Sequence, residues 1–365
     1  MEQRRPYCWP IASTVFLMTS PQRIHVVVLF GGESAEHDVS CVTAAHVLRA
    51  LDNDKYRITT VGITRQGQWC LVTEHSPDKL AATGVPISIT QIVADARSNE
   101  RTVVLPLLHG PLGEDGTMQG VLEVANIPYV GSGVLGSAVA MDKGVAKQLL
   151  AVNGIPQPKY VSLHEQHITD AALQHAIDTL GLPVFVKPAN MGSSIGVTKA
   201  RNLGELRKSI ALAVTYDEWV LIEEAIVGRE IEVAVLGNLT VRTSLPGEII
   251  PSSEFYDYND KYVSDSAQLK IPAPLTAIET EAVQKLAAVI FHTLRAEGMA
   301  RVDFFYEEGG RGFLCNEINT IPGFTPISMY PKLWQASGVS YSQLLDELIE
   351  LAFDRHSRRR RNTAR

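Results

Sequence analysis

A chain of 365 residues with 45% hydrophobic, 20% charged and 7% aromatic side chains has the composition of a folded globular protein, which excludes the disordered, collagen-like and disulfide-scaffold classes. At roughly 100–200 residues per domain, its length suggests two or three domains. Thirty-three basic against 40 acidic residues leave a formal net charge of -7, which argues against a dedicated nucleic-acid surface, since neutralising phosphates needs clustered excess Lys and Arg, and leaves room only for a local basic pocket.

Residues 1–22 pair Arg4 and Arg5 with an apolar segment over 8–18 and so imitate a secretory signal. Pro10 interrupts that segment and no A-x-A-like site follows, so the stretch reads as a poorly ordered extension, and a chain starting at Met18 would lose nothing recognisable. Residues 24–30 are a β-branched run ended by Gly31-Gly32, the pattern of a buried parallel strand, with a helix over 39–51. Strands over 56–63 and 101–108 repeat the pattern and 127–130 adds a short one, so the chain up to about residue 135 forms an α/β layer. A helix over 143–153 follows, closed by Gly154 with Pro156 and Pro158 beyond it. A helix over 169–180, a strand over 184–187, a glycine loop and a strand over 220–224 come next. Then come a strand over 231–236, a helix over 275–297, and paired strands over 301–306 and 312–318 around a turn at 307–311. Arg358 to Arg361 stand in a row inside residues 356–365, which read as a solvated basic tail. Cys8, Cys41, Cys70 and Cys315 are too widely spaced for a C-x-x-C pair or a metal site, which suits a reducing compartment. The apolar runs are strand-sized, far short of the roughly 18 residues of a membrane-spanning helix.

Four stretches carry candidate chemistry. Gly31-Gly32-Glu33-Ser34-Ala35-Glu36-His37-Asp38 lies at a strand end and a helix start, where N–H groups and the positive dipole end favour an anion; the plain alternative is a turn capped by Asp38. Gly131-Ser132-Gly133-Val134-Leu135-Gly136 matches the dinucleotide fingerprint G-x-G-x-x-G. It lies about 100 residues after the first strand, however, and Asn153-Gly154 stands where the acidic strand end should fall. Lys187-Pro188 followed by Gly192-Ser193-Ser194-Ile195-Gly196 sets a lysine beside N–H and O–H donors that suit nucleotide phosphates, although no P-loop is present and a glycine-turn hairpin stays open. Residues two apart on a strand share a face, so Glu317 and Asn319 project together and Asp303 can join them from a neighbouring strand. Three hard oxygen donors beside phosphates suit Mg²⁺, and Arg301 on the same face can stabilise transition-state charge; solvated strand-end acids are the alternative.

In order, Gly31-Gly32-x-Ser34-x-Glu36, His109-Gly110 with Gly113-Glu114-Asp115-Gly116, Met141-Asp142-Lys143, Lys187-Pro188 with Gly192-Ser193-Ser194, Glu254-Phe255-Tyr256-Asp257-Tyr258 with Lys261-Tyr262, Arg301-x-Asp303 and Asn316-Glu317-x-Asn319-x-x-Pro322-Gly323 resemble the D-alanine:D-alanine ligases of the ATP-grasp superfamily. The resemblance covers about residues 24–350. It implies a three-domain α/β ATP-grasp ligase: an N-terminal parallel α/β domain over 23–140, then two α+β domains over 141–228 and 229–355 that sandwich ATP. The implied reaction is ATP-dependent ligation of two D-alanines through a D-alanyl phosphate, for peptidoglycan precursors. By the same resemblance, Lys143, Lys187 and Lys261 contact ATP phosphates beside Ser193, the stretch Glu223, Glu224, Ala225 and Ile226 holds adenine, and Glu230 binds ribose. Asp303, Glu317 and Asn319 ligate two Mg²⁺, with Mn²⁺ a possible substitute. Glu36, Ser193 and Tyr262 orient the first D-Ala and tie a mobile loop over 252–270 across the site, with His109 near that substrate. Arg301 and the Gly323 backbone stabilise the oxyanion, and Ser328 with Met329 holds the carboxylate of the second D-Ala. A cytoplasmic homodimer acting on small molecules, with no nucleic-acid or membrane partner, is expected.

The chemistry requires such a set. A carboxylate is a poor acyl donor, so ATP first makes it an acyl phosphate; the second amine then attacks, and a loop rich in Tyr256, Tyr258 and Tyr262 keeps water out. The Lys261-Tyr262 pair resembles the dipeptide-forming version, whereas the depsipeptide branch carries histidine at the tyrosine position. D-Ala-D-Ser or D-Ala-D-lactate ligation is the alternative within the family. Outside it, an oxidoreductase would rest on residues 131–136 alone, and a non-catalytic ATP-binding regulator would need a lost catalytic residue, of which none is found.

Overall fold

The computed structural model describes residues 23–73, 80–98, 101–251, 268–325 and 327–360. The first apolar run is strand β1 (Ile24–Gly31), buried almost throughout because both faces of its sheet are covered. Helix α1 (His37–Ala50) returns the chain to β2 (Tyr56–Ile63), parallel to β1. Strands β3 (Trp69–Leu71) and β4 (Val85–Pro86) add an antiparallel edge, and helix α2 (Ile89–Ser98) leads to β5 (Thr102–Pro106), parallel on the other side of β1. The order β4-β3-β2-β1-β5 sets β1 between its two parallel neighbours, where the strand order reverses, so the loop leaving its C-terminal end faces a crevice. The strand expected over 127–130 is only a bridge between Val104 and Tyr129.

Helices α3 (Thr117–Ala125), α4 (Val134–Met141) and α5 (Lys143–Val152) leave this layer. A second sheet, β6-β9-β7-β8, is built from β6 (Tyr160–His164), β7 (Val184–Pro188), β8 (Thr198–Ala200) and β9 (Trp219–Glu224). Helices α6 (Asp170–Leu180) and α7 (Leu203–Ala213) close its own core around Leu173, Val186, Leu206 and Ile222. The third sheet runs β13-β12-β10-β14-β15 with β11 on β10: β10 (Arg229–Gly237), β11 (Val241–Thr243), β12 (Gly247–Ile250), β13 (Gln268–Lys270), β14 (Gly298–Glu307) and β15 (Gly312–Asn319). Because β13 pairs with β12, the stretch expected as a loop to residue 270 ends in ordered strand at 268, while residues 252–267 lie outside the described ones.

Period-two alternation on β10 and β14 decides what each face of the third sheet does. Ile231, Val233, Ala300 and Val302 pack under helix α8 (Ala277–Thr293), which opens with a Thr276/Glu279 capping box. On the other face, Leu236 and Met299 pack with helices α9 (Met329–Ala336) and α10 (Tyr341–Arg360). Further along that face stand Glu232, Arg301 and Asp303, and this bare half borders the site.

Helix α10 packs between two layers, since Leu345, Leu348 and Ile349 share a core with Val26 and Val28 of β1 and with Leu236. Within the basic run, Arg358 and Arg359 are not the solvated tail expected from the sequence, and residues 361–365 lie outside the described ones. The run continues α10 through Arg360, where helical spacing aims it at two acids: Arg358 and Arg359 meet Glu297 at 3.1 and 3.0 Å, and Arg359 meets Glu123 at 3.2 Å. Arg355, 2% exposed, stacks 3.8 Å over the Tyr129 ring. The G-x-G-x-x-G stretch serves this same joint and opens α4: a Cβ on Gly136 would lie 2.3 Å from the Arg295 carbonyl oxygen. Gly136→Ala is therefore expected to lower stability by about 1–3 kcal/mol, read as a lower thermal midpoint. An unchanged midpoint would count against the packing role.

Cys41, Cys70 and Cys315 are buried free thiols, and Cys8 lies outside the described residues. Among the described residues no helix is long and apolar enough to cross a membrane.

Candidate active site

The loop after β1, the glycine-serine loop after β7 and the bare half of β14 and β15 converge on one cleft. It has two chambers that share Lys143, Met191, Gly192, Glu232, Ile249 and Glu317. The smaller holds Glu36, His109, Arg301, Asn319, Gly323 and Ser328; the larger holds Lys187, Ala225, Ile226, Glu230 and Asp303.

In the smaller chamber, Glu36 is 5% exposed and accepts a hydrogen bond from Ser193 Oγ through Oε1, while its buried Oε2 has no hydrogen-bond partner. The approach is close enough that a Cβ on Gly192 would lie 2.7 Å from Glu36 Oε2. Ser193 and Ser194 take left-handed φ values of 51° and 59°, which curl the loop onto the carboxylate. Asp38, expected as the cap in the plain alternative, is not the N-cap residue, which is Glu36: it sits within the first turn and pairs with Arg65 at 2.6 Å. His109 donates from Nδ1 to the Ile321 carbonyl at 3.1 Å, with Glu114 Oε1 at 3.4 Å from the same nitrogen. Burial pushes its pKa down, but Glu114 and Glu36 outweigh that and leave it raised.

On the sheet face, Arg301 stands opposite Asn319 and Asp303 opposite Glu317. Arg301 forms a bidentate pair with Asp303, both bonds 2.7 Å, and meets Glu232 Oε2 at 3.0 Å. Asn319 Oδ1 is buried without a hydrogen-bond partner. Among the described residues no three or more His, Cys, Asp or Glu cluster as a metal cage, because the donors here are two carboxylates and an amide. The set still fits a hard divalent cation: all its donors are oxygen, Asn319 Oδ1 lacks a partner, and the Arg301 fork leaves lone pairs on Asp303.

Lys143 opens α5, which is capped by Asp142 accepting the Val145 N–H at 2.9 Å; its ammonium donates to the Met191 carbonyl at 2.5 Å and lies 3.6 Å from Glu317. Lys187 donates to Asn316 Oδ1 at 3.0 Å and pairs with Glu223 at 2.6 Å. Burial would raise the Glu223 pKa, yet Lys147 and Lys187 outweigh it and hold it at about 2. All four residues of the 223–226 stretch line the larger chamber, but Glu223 is committed to lysines, and Glu224 to Arg311 at 2.6 Å and to the Lys159 N–H at 2.7 Å. Both Glu224 contacts are made through Oε1.

Ser328 stands at the N-terminus of α9, but its Oγ accepts the Thr325 N–H at 3.1 Å instead of capping the helix, and Met329 is 4% exposed on the core side. Lys261 and Tyr262 lie outside the described residues. Three participants have no assigned role in the sequence reading. Glu232 is two residues after Glu230 on one strand, Lys147 is one helical turn past Lys143, and Glu114 follows His109 in a motif already singled out. These spacings are the signals the sequence holds for them, and only the fold supplies each partner.

Residues 25–132 match the family profile described as D-ala D-ala ligase N-terminus, and residues 149–350 that described as D-ala D-ala ligase C-terminus. The D-alanine–D-alanine ligase of Thermoanaerobacter sp. (strain X514) is 47% identical over 348 residues, covering 91% of this chain and 97% of that protein. That of Geobacillus thermodenitrificans (strain NG80-2) is 46% identical over 352 residues, covering 92% and 96%. Among solved structures, the D-alanine-D-alanine ligase from Coxiella burnetii aligns with a TM-score of 0.80 at 39% identity, covering 92% of this chain and 97% of that one. The VanG D-Ala:D-Ser ligase from Enterococcus faecalis aligns at 0.79 and 36% identity, covering 91% and 100%.

Proposed function

The chain belongs to the D-alanine–D-alanine ligase family, and we propose that it joins two D-alanines into D-alanyl-D-alanine at the expense of ATP, with the two-chambered cleft as its active site. The observation that carries this reading is one continuous cleft. Lysines and oxygen donors suited to phosphates border a chamber that holds Glu36, Arg301 and the start of α9.

Lys143 and Lys187 meet the ATP phosphates, the 223–226 stretch walls the adenine, and Glu230 takes the ribose. Asp303, Glu317 and Asn319 hold the divalent metal, proposed as two Mg²⁺ with Mn²⁺ admissible, which when bound offsets charge on the phosphoryl oxygens. Glu36, which lines the chamber and has one oxygen without a hydrogen-bond partner, takes the ammonium of the first D-alanine beside His109. The carboxylate of that D-alanine attacks the terminal phosphorus of ATP, giving D-alanyl phosphate and ADP. The amine of the second D-alanine then attacks the acyl carbon, phosphate leaves, and Arg301 with the Gly323 N–H meets the oxyanion. Ser328 and Met329, at a helix N-terminus, hold the second carboxylate.

Glu36→Gln keeps the shape and removes the charge. It is expected to raise KM for the first D-alanine about tenfold or more while KM for ATP stays within about twofold, as for a lost charge-assisted contact. Equal rises in both would take Glu36 out of that subsite.

The direct test is phosphate release from ATP and Mg²⁺ with D-alanine, L-alanine, D-serine, or D-alanine plus D-lactate, with products identified by mass. D-alanyl-D-alanine from D-alanine alone supports the whole reading. A mixed product with D-serine or D-lactate would keep the mechanism and overturn the choice of second substrate. The finer domain boundaries, the homodimer and the cytoplasmic setting are proposed on the family likeness; sedimentation of the purified protein tests the dimer.

A further inference from the structure

Helix α5 carries two lysines one turn apart, and the mechanism above uses only the first. Lys143 lines the cleft. Lys147 is 2% exposed, is not among the residues lining either chamber, and places its ammonium 2.8 Å from Glu223 Oε1 and 5.6 Å from the centre of the Tyr160 ring. The other oxygen of Glu223 meets Lys187 at 2.6 Å. One buried carboxylate therefore holds two ammonium groups, one behind it and one in the cleft.

A lysine held by a carboxylate must give up that contact, wholly or in part, to meet a phosphate. If the carboxylate had no other counterion, the move would strand a buried charge, which is strongly disfavoured. The second contact of Lys187, with the Asn316 amide oxygen at 3.0 Å, is to a neutral group and leaves no charge behind. We propose that Lys147 is a positioning residue for nucleotide binding: it keeps Glu223 neutralised so that Lys187 can turn from that carboxylate to the ATP phosphates. The inference rests on the reading of Lys187 as a phosphate ligand.

The test is equilibrium binding of MgATP by calorimetry without D-alanine, alongside steady-state kinetics and thermal melts. Lys147→Met is expected to weaken MgATP binding about tenfold or more, with KM for D-alanine within about twofold. Lys147→Arg, which keeps the charge, should stay within about threefold. Adding Glu223→Gln to Lys147→Met should restore binding to within about threefold, because Lys187 then leaves no bare charge. A merely structural Lys147 gives no such rescue. A folded Lys147→Met enzyme with normal affinity, or a double variant as weak as the single, overturns the inference. If Lys147→Met does not fold, the double variant decides: near-normal affinity supports the charge balance, and a tenfold loss overturns it. Lys187→Met separates the two layers. Normal MgATP binding there overturns the reading of Lys187 and this inference with it, whereas dependence on Lys187 without dependence on Lys147 overturns this inference alone.

Discussion

Arg301→Lys is expected to lower kcat about 10²–10³-fold while the protein stays folded and MgATP affinity changes only a few-fold. In the structure the guanidinium is held by Asp303 through two bonds of 2.7 Å and by Glu232 at 3.0 Å, so its fork is fixed before substrate arrives. A lysine keeps one positive charge between those acids but is a single point on a flexible stem, and cannot satisfy both while aiming a donor at a forming oxyanion. Arg301→Met separates charge from aim. It strands two buried acids, each below 10% exposure, and is expected to cost about 3–5 kcal/mol of stability as well. Steady-state kinetics with thermal melts distinguish the pair. A lysine variant within tenfold of normal kcat would remove Arg301 from the oxyanion role and leave it a structural counterion.

Glu317→Ala should abolish metal-dependent turnover, with kcat down by about 10³ or more, since metal stabilisation of transition-state charge is worth several kcal/mol. Glu317 projects from β15 opposite Asp303, with the Lys143 ammonium 3.6 Å away. Its side chain is 27% exposed, so its removal is expected to change stability by about 1 kcal/mol or less. The readouts are phosphate release across a Mg²⁺ titration and direct Mn²⁺ binding by electron spin resonance. Weakened Mn²⁺ binding together with lost turnover assigns the residue to the metal. Near-normal turnover at ordinary Mg²⁺ would move the cation away from Asp303, Glu317 and Asn319.

Much of the local architecture was legible in the sequence, because its signals are local. The apolar run of β1, the Gly154 stop after α5 and the hairpin of β14 and β15 all follow from periodicity and breakers acting over a few residues. The shared face of Arg301 and Asp303, and of Glu317 and Asn319, follows from strand pleat alone. The ordered series of motifs carried the family and so the reaction.

Tertiary structure decided the partners. Glu36 and Ser193 are 157 residues apart, and Lys187 and Asn316 are 129 apart, so no local pattern links them. The arginine run looked solvated because charge runs usually are; Arg358 and Arg359 dock because α10 continues and meets Glu123 and Glu297. The G-x-G-x-x-G stretch became a packing joint because glycine's lack of a Cβ serves close backbone contact as well as it serves a pyrophosphate. Lys147 had no visible role until Glu223 was found between it and Lys187, since a sequence records which residues carry charge, and only the fold determines which buried charge neutralises which.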